Sequence, residues 1–351
     1  MKMRCFCVTR HGAPLECIER PVPEPQGTEV LLRVRAAGVC HSDLHIQDGY
    51  YDLGGGQRME LAARGIKPPL VLSHEVAGEV VGAGPEAGAV QPGLVALVHP
   101  WIGCGNCAVC RRGDEPLCSS SQAIGVVRPG GFADYIVVPH PRYLIPLDGL
   151  DPVQAAPLAC AGVTTYSALK KFGRLVQEVP VVVIGAGGLG MMALEILKAL
   201  GGRAVVVDLD AAKRDAALAA GAIAAVDAGA ADAAAQLVAL TDGGARAVLD
   251  LVGAPASVTL AMAASARGGH IVVCGLLGGE LRLALPTLPL RPLTLQGSYV
   301  GTLDELRELV ALMKGASLHA IPITRRPLAE ADLALQELRA GRVIGRTVLQ
   351  P

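Results

Sequence analysis

The run Val181-Val182-Val183-Ile184-Gly185-Ala186-Gly187-Gly188-Leu189-Gly190 restricts this chain to few folds. Four apolar, mostly β-branched residues form a strand that enters a G-x-G-x-x-G turn and continues as a helix through Met191 and Leu194. In such a turn Gly185 permits the tight reversal and Gly187 lets backbone approach a pyrophosphate. Gly188 and Leu189 open the helix, and Gly190 lets it pack on the strand. The next apolar strand ends in Asp208, about 20 residues beyond the last glycine. A carboxylate there accepts hydrogen bonds from both ribose hydroxyls and repels a 2′-phosphate, which predicts NAD and not NADP. Strand, turn, helix, second strand and acid together are a specific signal; the glycines alone would not be.

The surrounding rhythm agrees. From about residue 151, Ala/Leu-rich helices (211–220, 232–240) alternate with uninterrupted apolar strands at 181–184, 204–207, 247–251 and 270–274. Strands without alternation, spaced by helices, predict a parallel sheet covered on both faces. Residues 1–150 read differently. Short runs at 30–34, 76–81, 94–98 and 135–138 are divided by Gly/Pro turns, as in a β-rich domain. Residues 57–64 read as a short helix in a surface excursion. After residue 295 the α/β rhythm ends in two helices, 303–314 and 330–340, and a closing strand, 346–349.

Ten cysteines punctuate the chain. Cys104, Cys107, Cys110 and Cys118 offer four thiolates from one loop at spacings that wrap a tetrahedral ion. Such a closed shell holds structure and does not catalyse. Cys40 lies in Cys40-His41-Ser42-Asp43-Leu44-His45 at a strand end, where reactive groups can be presented on a fixed scaffold. His74 and Cys160 are further candidates for an open zinc site with Cys40, but spacing alone does not join three such distant residues. For a lone His74 a satisfied core histidine is the default reading. Cys5, Cys7, Cys17 and Cys274 sit in strand-like sequence and read as packing.

Taken together, these segments resemble the zinc-dependent medium-chain alcohol dehydrogenases, from Val30 to Pro351. Gly38-Val39-Cys40-His41-Ser42-Asp43 resembles the first zinc-ligand segment of that family, His74-Glu75 its zinc signature, and Leu158-Ala159-Cys160 its third ligand segment. The cysteine quartet fits its structural zinc lobe. The resemblance implies a Rossmann coenzyme domain at 156–295, plus a β-rich GroES-like catalytic domain built from 1–155 and 296–351. It implies two zinc ions per subunit: a catalytic one on Cys40, His74 and Cys160, and a structural one on Cys104, Cys107, Cys110 and Cys118. Ser42 would take the hydroxyl proton and pass it through a ribose hydroxyl to His45. Asp43 would orient His74, with Glu75 near the zinc. His41 and Arg346 would contact the pyrophosphate, and Asp208 and Lys213 the adenosine ribose. Ser73 departs from the glycine usual before His74, and the stretch between Cys40 and His74 is long, with its excess near residues 51–64. That excess is expected to form a lid or a subunit contact. Trp101, the one tryptophan, falls near a pocket wall in relatives and is otherwise plain packing.

The expected activity is reversible, NAD-linked oxidation of a primary or secondary alcohol to aldehyde or ketone. Polyol, sugar-alcohol or cyclic-alcohol oxidation within the same family is the alternative. A non-catalytic nucleotide-binding protein on this scaffold would not need zinc ligands, Ser42 and His45 together. The net charge of −1, with no basic run beyond Arg111-Arg112 or Arg325-Arg326, argues against a nucleic-acid partner. The longest charge-free apolar run, between Glu178 and Glu195, holds Pro180 and is shorter than the roughly 20 residues a membrane helix needs. A cytoplasmic homo-oligomer, dimer or tetramer, acting on a small alcohol or carbonyl compound is expected.

Overall fold

The computed structural model describes residues 1–315, 319 and 321–351. Six parallel strands form one sheet in the spatial order Ala224–Asp227, Arg203–Asp208, Pro180–Ile184, Ala245–Asp250, Ser265–Val273, Thr294–Gly297. Alternate side chains of the central strand feed two cores. Val181 and Val183 pack with Met191 and Leu194 of the helix Gly188–Ala199, whereas Val182 and Ile184 pack with Leu237 and Val258 on the other face. A strand buried on both faces gains nothing from polar alternation, which is why these runs are purely apolar. The chain builds outward from Pro180–Ile184 in one direction, then returns to build outward in the other. A crevice is left at the carboxyl ends of Pro180–Ile184 and Ala245–Asp250.

The second large sheet is mostly antiparallel. Its order is Leu144–Pro146, Val95–Val98, Glu75–Ala83, Val30–Gly38, Arg346–Gln350, Ile323–Pro327, with Tyr135–Val138 also paired to Val30–Gly38. The last strand of the chain thus sits beside an early one, with Val348 opposite Gly38. A smaller sheet joins Glu16–Pro21, Lys2–Val8 and Leu70–Val71.

Several local expectations are corrected. Residues 57–64 are not a helix. Gln57–Glu60 pairs antiparallel with Tyr50–Gly54 as a separate hairpin, and only Ala62–Arg64 makes a single 3-10 turn. The cause is Gly54-Gly55-Gly56, three consecutive residues at positive φ that reverse the chain. Cys17 is exposed on its edge strand, whereas Cys5, Cys7 and Cys274 are buried. The strands Ala224–Asp227 and Thr294–Gly297 escape sequence reading because they are short and poor in β-branched residues. Among the described residues, no helix is long and apolar enough to cross a membrane.

Candidate active site and metal centres

The cysteine quartet occupies one loop after the strand Val95–Val98. Sγ–Sγ distances are 3.4 Å for Cys107–Cys110, 3.8 Å for Cys107–Cys118 and 3.9 Å for Cys104–Cys110. A tetrahedral Zn–S₄ centre has edges of about 3.8 Å, so the set fits zinc. Backbone amides of Asn106 and Cys107 pull the Cys104 thiol down to about 6. Glu115 braces the loop, its Oε2 accepting from the Gly103 amide at 2.9 Å and the Tyr143 hydroxyl at 2.7 Å. A Cβ at Gly103 would lie 2.5 Å from the Cys110 Sγ, so only glycine leaves room for the cluster.

The second centre assembles from three elements. Cys40 ends the strand Val30–Gly38 and caps the helix His41–Asp48, where Asp43 reaches back to its backbone N–H at 2.8 Å. His74 precedes the strand Glu75–Ala83. Cys160 lies between a 3-10 turn, Ala156–Ala159, and the helix Ala161–Lys170. The Cys40 and Cys160 Sγ atoms are 3.9 Å apart, and the ligand atoms of all three residues lie within 4.8 Å of one another. All three are buried, and among the described residues neither ring nitrogen of His74 has a hydrogen-bond partner. A fully buried imidazole without partners is costly, and His99 bears that cost as well; what distinguishes His74 is its place within 4.8 Å of two thiols, a set that His99 does not join. Asp43 Oδ1 lies 3.6 Å from His74 Nδ1, close enough to orient the ring electrostatically and leave Nε2 for an ion.

Electrostatics follow from burial. Desolvation pushes the Asp43 carboxyl up to about 6. Burial works against a charged His74, but Asp43 and Cys40 outweigh it and raise the imidazole to about 9. Two thiols, a carboxyl and an imidazole sharing dry space in this way suit a divalent cation. Ser73 stands at φ 72, the left-handed region that favours glycine. Its hydroxyl donates to the Gly38 carbonyl at 2.9 Å and its amide to Asp43 at 3.1 Å, which offsets the strain and keeps His74 in place.

A cavity of about 320 Å³ runs from these ligands to the crevice of the parallel sheet. Ser42 and His45, one helical turn apart, line it with the metal ligands, and so do Tyr51, Trp101 and Tyr299. Trp101 packs 5.2 Å from the His74 ring and donates to the Ala159 carbonyl at 3.1 Å. Burial lowers the pKa of both His41 and His45.

The far end of the cavity holds the glycine turn. A Cβ at Gly190 would lie 2.0 Å from the Gly185 carbonyl oxygen, while one at Gly187 would meet nothing within 4 Å: packing demands the first glycine, and the second faces open space. Asp208 accepts from the Ala186 amide at 2.7 Å, and both Asp208 and Lys213 line the cavity. Arg346 lies against Gly188, and its side chain pairs with Glu75 in a buried two-pronged contact whose Nε–Oε2 arm is 2.9 Å. Glu75 also accepts the Ala161 amide at 3.1 Å, tying His74, Cys160 and the last strand together. Sequence reading missed this pair and Tyr299; it offered the 51–64 segment as a lid or a subunit contact without giving Tyr51 a role, and Tyr51 lines the cavity. No local motif marks an aromatic residue that reaches a cleft from a hairpin or from a loop after an edge strand.

Comparison with known proteins agrees with this geometry. Residues 26–149 match the alcohol dehydrogenase GroES-like domain and residues 188–315 the zinc-binding dehydrogenase domain. The chain is 36% identical to an NAD-dependent alcohol dehydrogenase of Sulfurisphaera tokodaii, over 99% of this chain and 100% of that one. It is 33% identical to a D-arabinose 1-dehydrogenase (NADP(+)) of Saccharolobus solfataricus, over 100% of this chain and 98% of that one. The crystal structure of the alcohol dehydrogenase from Aeropyrum pernix superposes with a TM-score of 0.89 at 30% identity, covering 99% of this chain and 100% of that one. The chain belongs to the zinc-type medium-chain alcohol dehydrogenase family, with a GroES-like and a Rossmann-type zinc dehydrogenase domain.

Proposed function

We propose that this protein is a zinc- and NAD-dependent alcohol dehydrogenase that interconverts a primary or secondary alcohol and its aldehyde or ketone. One observation carries the reading: the three-ligand pocket of Cys40, His74 and Cys160 opens into the same cavity as the glycine turn and Asp208. Three protein ligands leave a fourth position for substrate. When bound, zinc supplies a Lewis acid for the substrate oxygen and NAD the hydride acceptor.

The chain's own residues do the rest. Ser42 Oγ takes the hydroxyl proton, and neutral His45 carries it outward. Asp43 holds His74, and Glu75 holds Arg346 and the Cys160 segment. His41 and Arg346 face the pyrophosphate position, Lys213 flanks the ribose, and the Asp208 carboxylate selects NAD over NADP. Cys104, Cys107, Cys110 and Cys118 hold the structural zinc. Residues 1–155 and 296–351 make the catalytic domain and 156–295 the coenzyme domain. A reducing, cytoplasmic setting suits two thiolate sites. The subunits form a dimer or tetramer in which the exposed edge strand Thr294–Gly297 takes part.

The substrate end of the cavity is walled by Tyr51, Trp101, Val126, Tyr299 and Val300. Such a wall favours an alcohol with an apolar or aromatic substituent over a polyol, whose hydroxyls would lose water without gaining partners. The D-arabinose 1-dehydrogenase relative supports the sugar reading as the second. NAD-linked turnover on benzyl alcohol, cyclohexanol, sorbitol and D-arabinose decides between them. The first two are expected to give the higher kcat/KM; a preference for sorbitol or D-arabinose would reverse the assignment.

A further inference from the structure

The hairpin Tyr50–Gly54 and Gln57–Glu60 belongs to neither large sheet. It begins where the helix carrying Ser42 and His45 ends: Gly49 donates to the His45 carbonyl at 2.8 Å and accepts from the Leu61 amide at 2.9 Å. From this base Tyr51 projects into the cavity and lays its ring on His45, with centroids 4.6 Å apart and planes tilted by 32°. The tip crosses to the coenzyme domain. A Cβ at Gly54 would lie 2.5 Å from the Glu280 amide nitrogen, and one at Gly278 would lie 2.8 Å from the Asp52 Cβ and carbonyl oxygen. Backbone therefore meets backbone, with glycine on both sides. Leu277 and Gly278 are themselves pinned to the coenzyme domain by bonds to the Val252 and Gly253 carbonyls, each 3.1 Å. Gly275, Leu276 and Leu277 of the same loop line the cavity. Among the described residues, no hydrogen bond or ion pair joins the tip to this loop, so the contact depends on shape alone.

We propose that Tyr51 is a positioning residue for His45, and that the tip contact seats it only when the coenzyme domain is closed onto the catalytic domain. Coenzyme-domain closure and completion of the proton exit are then one event. This rests on the reading of His45 as the outward proton carrier. Tyr51 shields one face of the imidazole from water, and its own hydroxyl is buried enough to stay protonated. The ionisable groups facing His45 are His41, Cys40 and Asp48 on or beside its own helix, and Arg339 from the helix Ala331–Arg339. Asp48 and Arg339 are paired at 2.7 Å, so the hairpin adds packing and no charge.

The test is steady-state kinetics of the zinc-loaded enzyme against pH, for Tyr51→Ala, Tyr51→Phe, Gly54→Ala, His45→Gln and the double variant Tyr51→Ala/His45→Gln. Tyr51→Ala is expected to lower kcat about 10-fold with little change in KM for NAD, a modest part of what a positioned base contributes. It should also move the acid limb of kcat to higher pH, because a less buried His45 protonates more readily. Tyr51→Phe keeps the wild-type pH profile, since the ring remains. Gly54→Ala should reproduce the Tyr51→Ala profile and weaken NAD binding, read by nucleotide fluorescence titration. In the His45→Gln background Tyr51→Ala should leave kcat and its pH profile unchanged, with any further change confined to KM for the alcohol, whose pocket Tyr51 also walls. An equal loss of kcat with and without His45 would leave Tyr51 a pocket wall alone and overturn the positioning role. A Gly54→Ala enzyme with wild-type profile and NAD affinity would overturn the coupling. If His45→Gln alone left the pH profile intact, the proton-carrier reading would fail, a result distinct from either.

Discussion

Glu75 and Arg346, 271 residues apart in sequence, form a buried bidentate pair at the floor of the cleft. Each arm fixes a different part of the site: Glu75 follows His74 directly and holds the Ala161 amide, while Arg346 lies against the glycine turn at Gly188. Removing one partner strands a charge without water. Glu75→Ala should cost about 3–5 kcal/mol of stability, measured by urea unfolding of the zinc-loaded protein. Glu75→Leu/Arg346→Met should recover much of that loss in stability but not in activity, because the pair orients the site as well as holding it. A stable Glu75→Ala would show that the pair is not the junction described.

The proposed role of Asp208 is to select the coenzyme. Asp208→Asn keeps an acceptor for the Ala186 amide, 2.7 Å away, gives up the second oxygen that accepts from the Asp210 amide at 2.9 Å, and removes the charge that repels a 2′-phosphate. The ratio of kcat/KM for NAD to that for NADP should fall about tenfold, equivalent to roughly 1.4 kcal/mol. An unchanged ratio would place nucleotide selection elsewhere.

His99 is fully buried, stacked 6.2 Å from Tyr143, and burial pushes its pKa down to about 3. The unfolded value is about 6.5, so the unfolded chain binds the extra proton first. Its contribution to stability is complete above pH 6.5 and is lost as pH falls from there toward 3. Between pH 7.5 and 5 the loss should be about 2 kcal/mol, beyond any shared acid effects. His99→Gln should flatten the urea-measured profile by that amount; parallel profiles for variant and wild type would contradict it.

The edge strand Thr294–Gly297 is exposed along its length, beside Leu285 at 73% and Leu290 at 67% exposure. An open strand edge and bare leucines suit the subunit contact of the proposed oligomer. Leu295→Lys should reduce the oligomer mass measured by light scattering. A wild-type monomer, or an oligomer unaffected by the lysine, would place the subunit contact elsewhere.

How much of this was legible in the sequence depended on range. The glycine turn and the cysteine quartet are local motifs, so Gly185, Gly190 and the Cys104–Cys118 loop could be read from spacing. Cys40, His74 and Cys160 could not be joined that way, because strand pairing brings them together, and only family resemblance connected them. Ser73 departs from the usual glycine, and its two hydrogen bonds, to Gly38 and Asp43, show how a serine is held there. Gln57–Arg64 has a helix-compatible composition, but the three preceding glycines decide the turn and make a hairpin. The Glu75–Arg346 pair has no sequence signature, since it forms only when the last strand returns beside the first domain.

Zinc per subunit, with NAD-linked alcohol oxidation measured on the same samples of wild type, Cys40→Ala and Cys107→Ala, tests the central claim most directly. The account predicts two zinc ions in the wild type. It predicts one ion and no activity in Cys40→Ala, and one ion with lowered thermal stability but retained turnover at low temperature in Cys107→Ala. Full activity in Cys40→Ala, or a wild type holding a single zinc ion, would contradict it.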